Sequence, residues 1–253
     1  MHMKKNNHGA LYIGTSNIVV PGNKNSFPEK FRSGTRLHYY STLFNTVELN
    51  STFYKVPMVR TFEKWTHDVM PEFIFTVKLF NGITHIKNLV FDQSLVNTFL
   101  SAAAGMANRK GCLLVQFPGK ITFDYFNDVS NLLELITGNS LSAGWRIAIE
   151  FRSATWYTGE TYELLDEHHC SLVLHDKPGA KNVDLNRQAP FVYLRLHGPA
   201  GDYKGSYSDL YLANQCTTIQ QWRKRGVDVF VYFNNTMGSA FDNARHLATL
   251  AQK

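Results

Sequence analysis

Ionisable and amide side chains recur at every second position in several short stretches of this 253-residue chain. Glu48, Asn50, Thr52 and Tyr54 form one such set, Thr76 and Lys78 a second, Glu150 and Arg152 a third. Tyr193, Arg195 and His197 follow, then Tyr232 and Asn234, while Gln116 and the pair His175–Asp176 sit in two further stretches. Alternate side chains of an extended strand share a face. The intervening residues, such as Val47 and Leu49, Phe75 and Val77, or Leu194 and Leu196, are apolar. Each stretch therefore predicts one apolar face and one that turns polar toward its C-terminal end.

The residue types on that second face suit acid–base work on an anion. Arg152 and Arg195 can grip a carboxylate or phosphate with paired N–H groups. Lys78 can add a point charge, or act as an amine nucleophile if burial lowers its pKa, although a salt bridge to Glu48 is its more ordinary role. Glu48 or Glu150 would serve as general base and His197 as acid. The candidate catalytic groups are thus Glu48, Lys78, Glu150 and His197. Asn50, Tyr54, Gln116, Arg152, Asp176, Arg195, Tyr232 and Asn234 are candidate substrate-binding positions on the strands, joined by His85 and Tyr203 from loops. The loop Gly198–Gly205 is glycine-rich and ends near Lys204, a pattern that can close over a phosphate. The bland counterpart is a network in which Glu48, Lys78, Glu150, Arg152 and Arg195 only neutralise one another. Convergence from at least six stretches favours a ligand, because buried charges are costly unless paired or bound.

Two other chemistries compete. Glu48, Glu150, His175, Asp176 and His197 are the residue types of a divalent-metal site, as in barrel hydrolases and isomerases. Lys78, Arg152 and Arg195 offset their charge, so no metal and no cofactor is expected, with a divalent metal the alternative. Nucleic-acid binding is the other rival: the net charge is +6 and the pI near 9.1, with Trp156, Tyr157, Tyr203 and Tyr207 available for stacking. The densest basic run, Arg223-Lys224-Arg225, is only three residues long. A small anionic metabolite is the expected partner, and a non-redox hydrolase, lyase or isomerase the expected class if the chain is an enzyme.

Positioning such a face requires strands in one array. Eight β-rich runs begin at residues 11, 46, 74, 112, 147, 171, 192 and 228, close to the ~30-residue period of a strand–helix unit. Helical patterns fill most gaps, as at Leu37, Tyr40, Leu43 and Phe44, at Leu95, Phe99, Leu100 and Ala103, and over residues 209–225 and 239–252. The gap Lys177-Pro178-Gly179-Ala180-Lys181-Asn182 has loop chemistry instead. This predicts an α/β fold, a single (β/α)8 TIM-like barrel over residues 11–253, with the helix between strands 6 and 7 short or missing and residues 1–10 a flexible segment. A doubly wound sheet would bring a Gly-rich first turn, which Gly14-Thr15-Ser16 does not continue. Cys112, Cys170 and Cys216 form no C-x-x-C pair, which excludes a disulfide framework. No run approaches 18 apolar residues and the N-terminus is polar, so a cytoplasmic protein without a membrane segment is expected.

Several phrases carry a family resemblance. Ile13-Gly14-Thr15-Ser16, Phe44 to Tyr54 (FNTVELNSTFY), Ile83-Thr84-His85, Gln116-Phe117-Pro118, Glu150-Phe151-Arg152, Leu194 to Gly198 (LRLHG) and Tyr232-Phe233-Asn234-Asn235 occur in order, followed by Gly238, Ala240 and Asn243-Ala244. Together they resemble the DUF72 (YecE-like) family over nearly the whole chain. The resemblance implies a TIM-like barrel and supplies no reaction. It also exposes a departure: such chains often read Gly-Thr-Ser-Gly-Trp after the first strand, and here Asn17-Ile18 follows. An aromatic at the mouth is then either absent or supplied elsewhere, by Tyr54, Trp156 or Tyr203.

Overall fold

The computed structural model describes residues 8–252. Of the expected N-terminal segment, residues 1–7 lie outside the described residues; Gly9 N–H donates to Arg223 O (2.8 Å) and Ala10 N–H to Asp228 Oδ1 (2.8 Å).

The chain alternates strand and helix. In order come β1 (Leu11–Thr15), α1 (Arg36–Ser41), β2 (Thr46–Leu49), α2 (Ser51–Tyr54), α3 (Val59–His67), β3 (Ile74–Lys78), α4 (Asn81–Thr84), α5 (Ser94–Ala103) and β4 (Lys110–Phe117). Then follow α6 (Phe126–Thr137), β5 (Arg146–Phe151), α7 (Gly159–Glu167), β6 (Ser171–Leu172), β7 (Leu174–His175), β8 (Val192–Leu196), α8 (Asp209–Lys224), β9 (Val229–Phe233) and α9 (Ala240–Leu250). The sequence sets the helix ends by familiar means. Ser208 caps α8 by accepting from Tyr211 N–H, with Asp209 in the first turn and Arg223 and Lys224 in the last, a charge order that complements the helix dipole. Thr158 caps α7 and Thr35 caps α1 in the same way. No helix forms among residues 176–191, where the Pro–Gly loop was expected.

The named strands pair in parallel with one another, and an isolated antiparallel bridge joins His175 to Asn182. One sheet runs β1-β9-β8-β7 and the other β2-β3-β4-β5-β6. The sixth run of the sequence is shared between them: Val173 divides it into β6 and β7, yet its N–H still reaches Ile149 O of β5 (2.8 Å) while Leu174 pairs with Leu194 of β8. At the other seam a parallel bridge joins Ser16, just past β1, to Glu48 of β2.

The two strand faces bury separate apolar sets. Leu113, Val115, Ile147, Ile149, Val192, Leu194, Val229 and Val231 join the large core with the helices. Cys112, Leu114, Ala148, Val173, Tyr193, Phe230 and Tyr232 form a second cluster on the other face. The polar residues continue that second face at the C-terminal strand ends.

One stretch departs from the expected pattern. β2 ends at Leu49, Asn50 turns to right-handed helical angles, and Ser51–Tyr54 is a short helix. Alternation thus fails for Asn50, Thr52 and Tyr54. The physical reason is local: Asn, Ser and Thr side chains compete with ladder hydrogen bonds. Thr52 illustrates it, its one hydroxyl proton lying within reach of both Lys78 O (2.7 Å) and Leu49 O (2.9 Å) while its oxygen accepts from Lys78 N–H (3.1 Å).

Candidate active site

Parallel strands bring their C-terminal ends together, and there the polar face becomes one network spanning both sheets. Arg195 of β8 lies at its centre. Its Nη2 donates to Glu48 Oε1 (2.9 Å), its Nε to both Glu48 oxygens (3.1 and 3.0 Å) and its Nη1 to Glu150 Oε2 (3.3 Å). Ser16 Oγ (2.7 Å) and the Tyr193 hydroxyl complete the coordination of Glu48. Arg152, just past β5, pairs with the remaining oxygen of Glu150.

His197 links this cluster to a second carboxylate. Asp176 Oδ1 lies 3.1 Å from His197 Nδ1 and accepts from His197 N–H (2.8 Å), while Tyr207 donates to Oδ2. A carboxylate only accepts, so Nδ1 carries the proton and Nε2 is left as an acceptor. The guanidinium nitrogens Arg152 Nη2 (2.9 Å) and Arg195 Nη1 (3.2 Å) meet that lone pair. Burial, only partly opposed by Asp176 and reinforced by Arg195, lowers the His197 pKa to about 4. His197 therefore orients both arginines as a neutral acceptor through Nε2, and its one proton, on Nδ1, is directed at Asp176.

The carboxylates are charged for reasons the contacts make plain. Burial would raise Glu48, but Arg195 and the Tyr193 and Ser16 hydroxyls lower it below its ordinary value. Glu150 is held well below the carboxylate range by Arg152 and Arg195 against the same burial cost. Every oxygen of both groups is thereby occupied by a cation or hydroxyl.

Lys78 stands outside the balance. Its Nζ donates to Gln116 Oε1 (2.8 Å) and lies 3.9 Å from the centre of the Phe53 ring; among the described residues it has no carboxylate within salt-bridge distance. The expected pair with Glu48 is absent because Arg195 fills that role. Lys78 is only 8 % exposed. Burial first, then repulsion from Arg195, lowers its pKa to about 7, with Glu150 and Glu48 offsetting them only in part.

Above the network opens a cleft of about 470 Å³. It gathers Asn50, Tyr54, Lys78, His85, Gln116, Arg152, Arg195, Tyr203 and Asn234 from the expected set. Glu48 and Glu150 are fully buried behind the arginines. Tyr54 is 73 % exposed at the rim. Tyr232 is not at the mouth: it is fully buried, its hydroxyl shared with Thr46 (2.8 Å) and Thr76 (2.6 Å). Asn50 Oδ1 is buried with no hydrogen-bond partner among the described residues. His85, set against the edge of Phe53 and bonded to Thr84, is kept neutral by burial and by Lys78 and Lys120, its pKa near 4.

Sequence reasoning missed Phe53, Asn17, Ser16 and Thr236. Phe53 falls between Thr52 and Tyr54 in the strand-like alternation, where it predicts the apolar face, and only the turn into α2 brings it over Lys78. Asn17, where the family pattern has glycine, adopts a left-handed φ of 64° and accepts from Asn50 N–H through Oδ1 (3.2 Å). The expected phosphate loop behaves differently too. The N–H groups of Gly198, Gly201, Tyr203 and Lys204 are all donated to nearby protein acceptors, so the loop presents the Tyr203 ring rather than a row of free amides. Tyr203 holds a left-handed φ of 69°, fixed by bonds from its N–H to His197 O (2.7 Å) and from Met237 N–H to its O (3.0 Å). Burial would raise its phenol, but Arg152 and Lys177 lower it.

Among the described residues no three His, Cys, Asp or Glu side chains converge as a metal would require. His175 is spent on the backbone, with Nε2 3.0 Å from Phe151 O and Nδ1 accepting from Lys177 N–H. Of the stacking aromatics, Trp156 is buried against Phe151 (4.2 Å between ring centres) and Tyr207 is buried under Asp176. No helix among the described residues is long and apolar enough to cross a membrane.

Comparison with known proteins agrees with the motifs. The family described as "Protein of unknown function DUF72" matches residues 12–253. The UPF0759 protein YunF of Bacillus subtilis (strain 168) is 28% identical over 95% of this chain and 94% of its own length. The UPF0759 protein YecE of Escherichia coli (strain K12) is 33% identical over a 94-residue stretch, 37% of this chain and 35% of YecE. Among solved structures, a DUF72 family protein of Enterococcus faecalis V583 superposes with a TM-score of 0.76 at 20% identity, covering 98% of this chain and 99% of its own. One of Thermotoga maritima MSB8 does so with a TM-score of 0.73 at 25% identity, covering 96% and 100%.

Proposed function

The chain belongs to the DUF72 family, and from that premise we propose that it binds a small anionic metabolite, bearing phosphate or carboxylate, in the cleft at the C-terminal strand ends and transforms it by acid–base chemistry. The observation that carries this reading is the asymmetry of charge. The carboxylates Glu48 and Glu150 lie fully buried behind Arg195, whereas the cleft is lined by Lys78 and Arg152 with the amides Gln116 and Asn234. A ligand meets cations and neutral donors, with the compensating negative charge out of reach. Electrostatics of this kind are strongest where water is excluded.

The roles follow from the contacts. Arg152 keeps guanidinium capacity beyond its bonds to Glu150 and His197 and is the anion anchor. Lys78, whose pKa burial lowers to about 7, is the group that moves a proton, replacing His197 in that role. Glu48, Glu150, His197 and Asp176 hold the two arginines in place. Such chemistry suits a non-redox lyase, isomerase or hydrolase.

We also read the two sheets as one (β/α)8 barrel. The Ser16–Glu48 bridge and the run shared between β6 and β7 support that closure, and it accounts for a site formed at the strand C-termini. The three cysteines, buried as free thiols, fit the expected cytoplasmic location.

The test is calorimetric titration of the protein with inorganic phosphate, short-chain carboxylates and sugar phosphates. Binding of at least one class, weakened tenfold or more in Arg152→Ala, is the expected result. No heat from any anion, or equal affinity in the variant, would remove the reading.

A further inference from the structure

We infer that the cleft takes an anionic carbonyl compound, a 2-oxo acid or a phosphorylated aldehyde or ketone, and holds its carbonyl carbon as an imine on Lys78. The inference rests on the anion reading above and adds the reacting group. Four observations carry it. Lys78 Nζ lines the open cleft yet is almost wholly withdrawn from water. It has no carboxylate partner among the described residues, so nothing on the protein competes for the nitrogen as an ion pair. Gln116 Oε1 at 2.8 Å and the Phe53 ring at 3.9 Å fix its direction. Arg152, also lining the cleft, offers the anion anchor that would bring a carbonyl to the nitrogen. An amine that loses its proton near neutral pH is nucleophilic without a dedicated base, and Lys78 meets that condition.

The chemistry balances without a further reagent. The ammonium first sheds a proton to solvent water to become the free amine. Its nitrogen then forms a bond to the carbonyl carbon as the C=O π pair moves to oxygen, and a proton passes from nitrogen to that oxygen, giving a carbinolamine. Taking back one proton, the hydroxyl leaves as water and the nitrogen lone pair makes the iminium double bond. Carbonyl plus ammonium becomes iminium plus water, with no oxidant or reductant. An iminium in that position draws electrons from the neighbouring carbon, which is the activation that lyases and isomerases of carbonyl compounds use.

The experiment is reductive trapping of the whole protein with sodium cyanoborohydride in the presence of pyruvate, dihydroxyacetone phosphate or butanone, followed by peptide mapping. One saturable adduct is expected, on Lys78, with pyruvate or with dihydroxyacetone phosphate. The more effective of these two tells an oxo acid from a phosphorylated carbonyl, and labelling should rise steeply from pH 6 to 8. Mapping the unaltered chain identifies the lysine even if Lys78→Ala folds poorly. Adducts spread over surface lysines, or absent at Lys78, would overturn the imine while leaving anion binding measurable by calorimetry. Equal labelling by butanone and the anions would keep the imine and remove the anion reading.

Discussion

Arg195 decides whether the site exists. It is buried, and among the described residues it is the only cation in contact with Glu48. Removing one partner of such a pair leaves an uncompensated buried charge, which costs about 3–5 kcal/mol. Arg195→Ala should therefore destabilise the fold by about that much in urea titrations, while Glu48→Leu with Arg195→Met should cost less than the two single changes summed. Additive losses would mean the pair is not coupled. Arg152, partly exposed and sharing its carboxylate with Arg195, should lose anion affinity when truncated and little stability. Residue types made part of this legible: the alternations Glu150–Arg152 and Arg195–His197 placed four of the network's members on one face from spacing alone. The pairing itself was not legible. Whether Glu48 meets Lys78 or Arg195 depends on how strands far apart in sequence sit across the interior, and residue spacing carries no information about that. His197 shows the same limit, since its proton is assigned by Asp176 and two guanidiniums that only the fold brings to it.

At the scale of elements, the site depends on how strands end. The eight runs were readable because their apolar alternation and ~30-residue period are long-range regularities. The end of β2 was not, because Asn50 to Tyr54 keep strand-like alternation while their short polar side chains favour a turn. That one misreading hid Phe53 and misplaced Tyr54. The loop after β8 carries the second positional constraint. Gly198 has a φ of 101°, and a Cβ there would lie 2.1 Å from Lys204 O. Gly198→Ala should cost about 1–3 kcal/mol through strain and displace Tyr203, lowering anion affinity as well. Thermal unfolding together with phosphate titration checks both effects; an unaffected variant would mean the loop relaxes without consequence for the cleft.

For the whole molecule, the perturbed groups set how stability varies with pH. Glu48 and Glu150 titrate below their ordinary range when folded. Their stabilisation is complete above the unfolded carboxylate pKa and is lost as pH falls through the lowered folded values. Lys78 acts at the other end. Its folded value is near 7 against 10.5 unfolded, so between those limits the unfolded chain binds more protons and stability rises with pH. Lys78→Met should remove that alkaline rise and stabilise the protein at pH 6 by about 1–3 kcal/mol, because the buried ammonium has a hydrogen bond to Gln116 but no carboxylate among the described residues to offset its charge. Denaturant curves at pH 6, 8 and 10 measure it, and a variant with unchanged slope would place Lys78 in water. The charge asymmetry of the cleft makes one further demand, that an anion bound there should favour the charged lysine. The most direct measurement is an NMR titration of the Lys78 side chain in isotope-labelled protein, with and without saturating inorganic phosphate. A value near 7 that moves upward when phosphate binds is expected, whereas an ordinary lysine value indifferent to phosphate would contradict both the buried amine and the anion site.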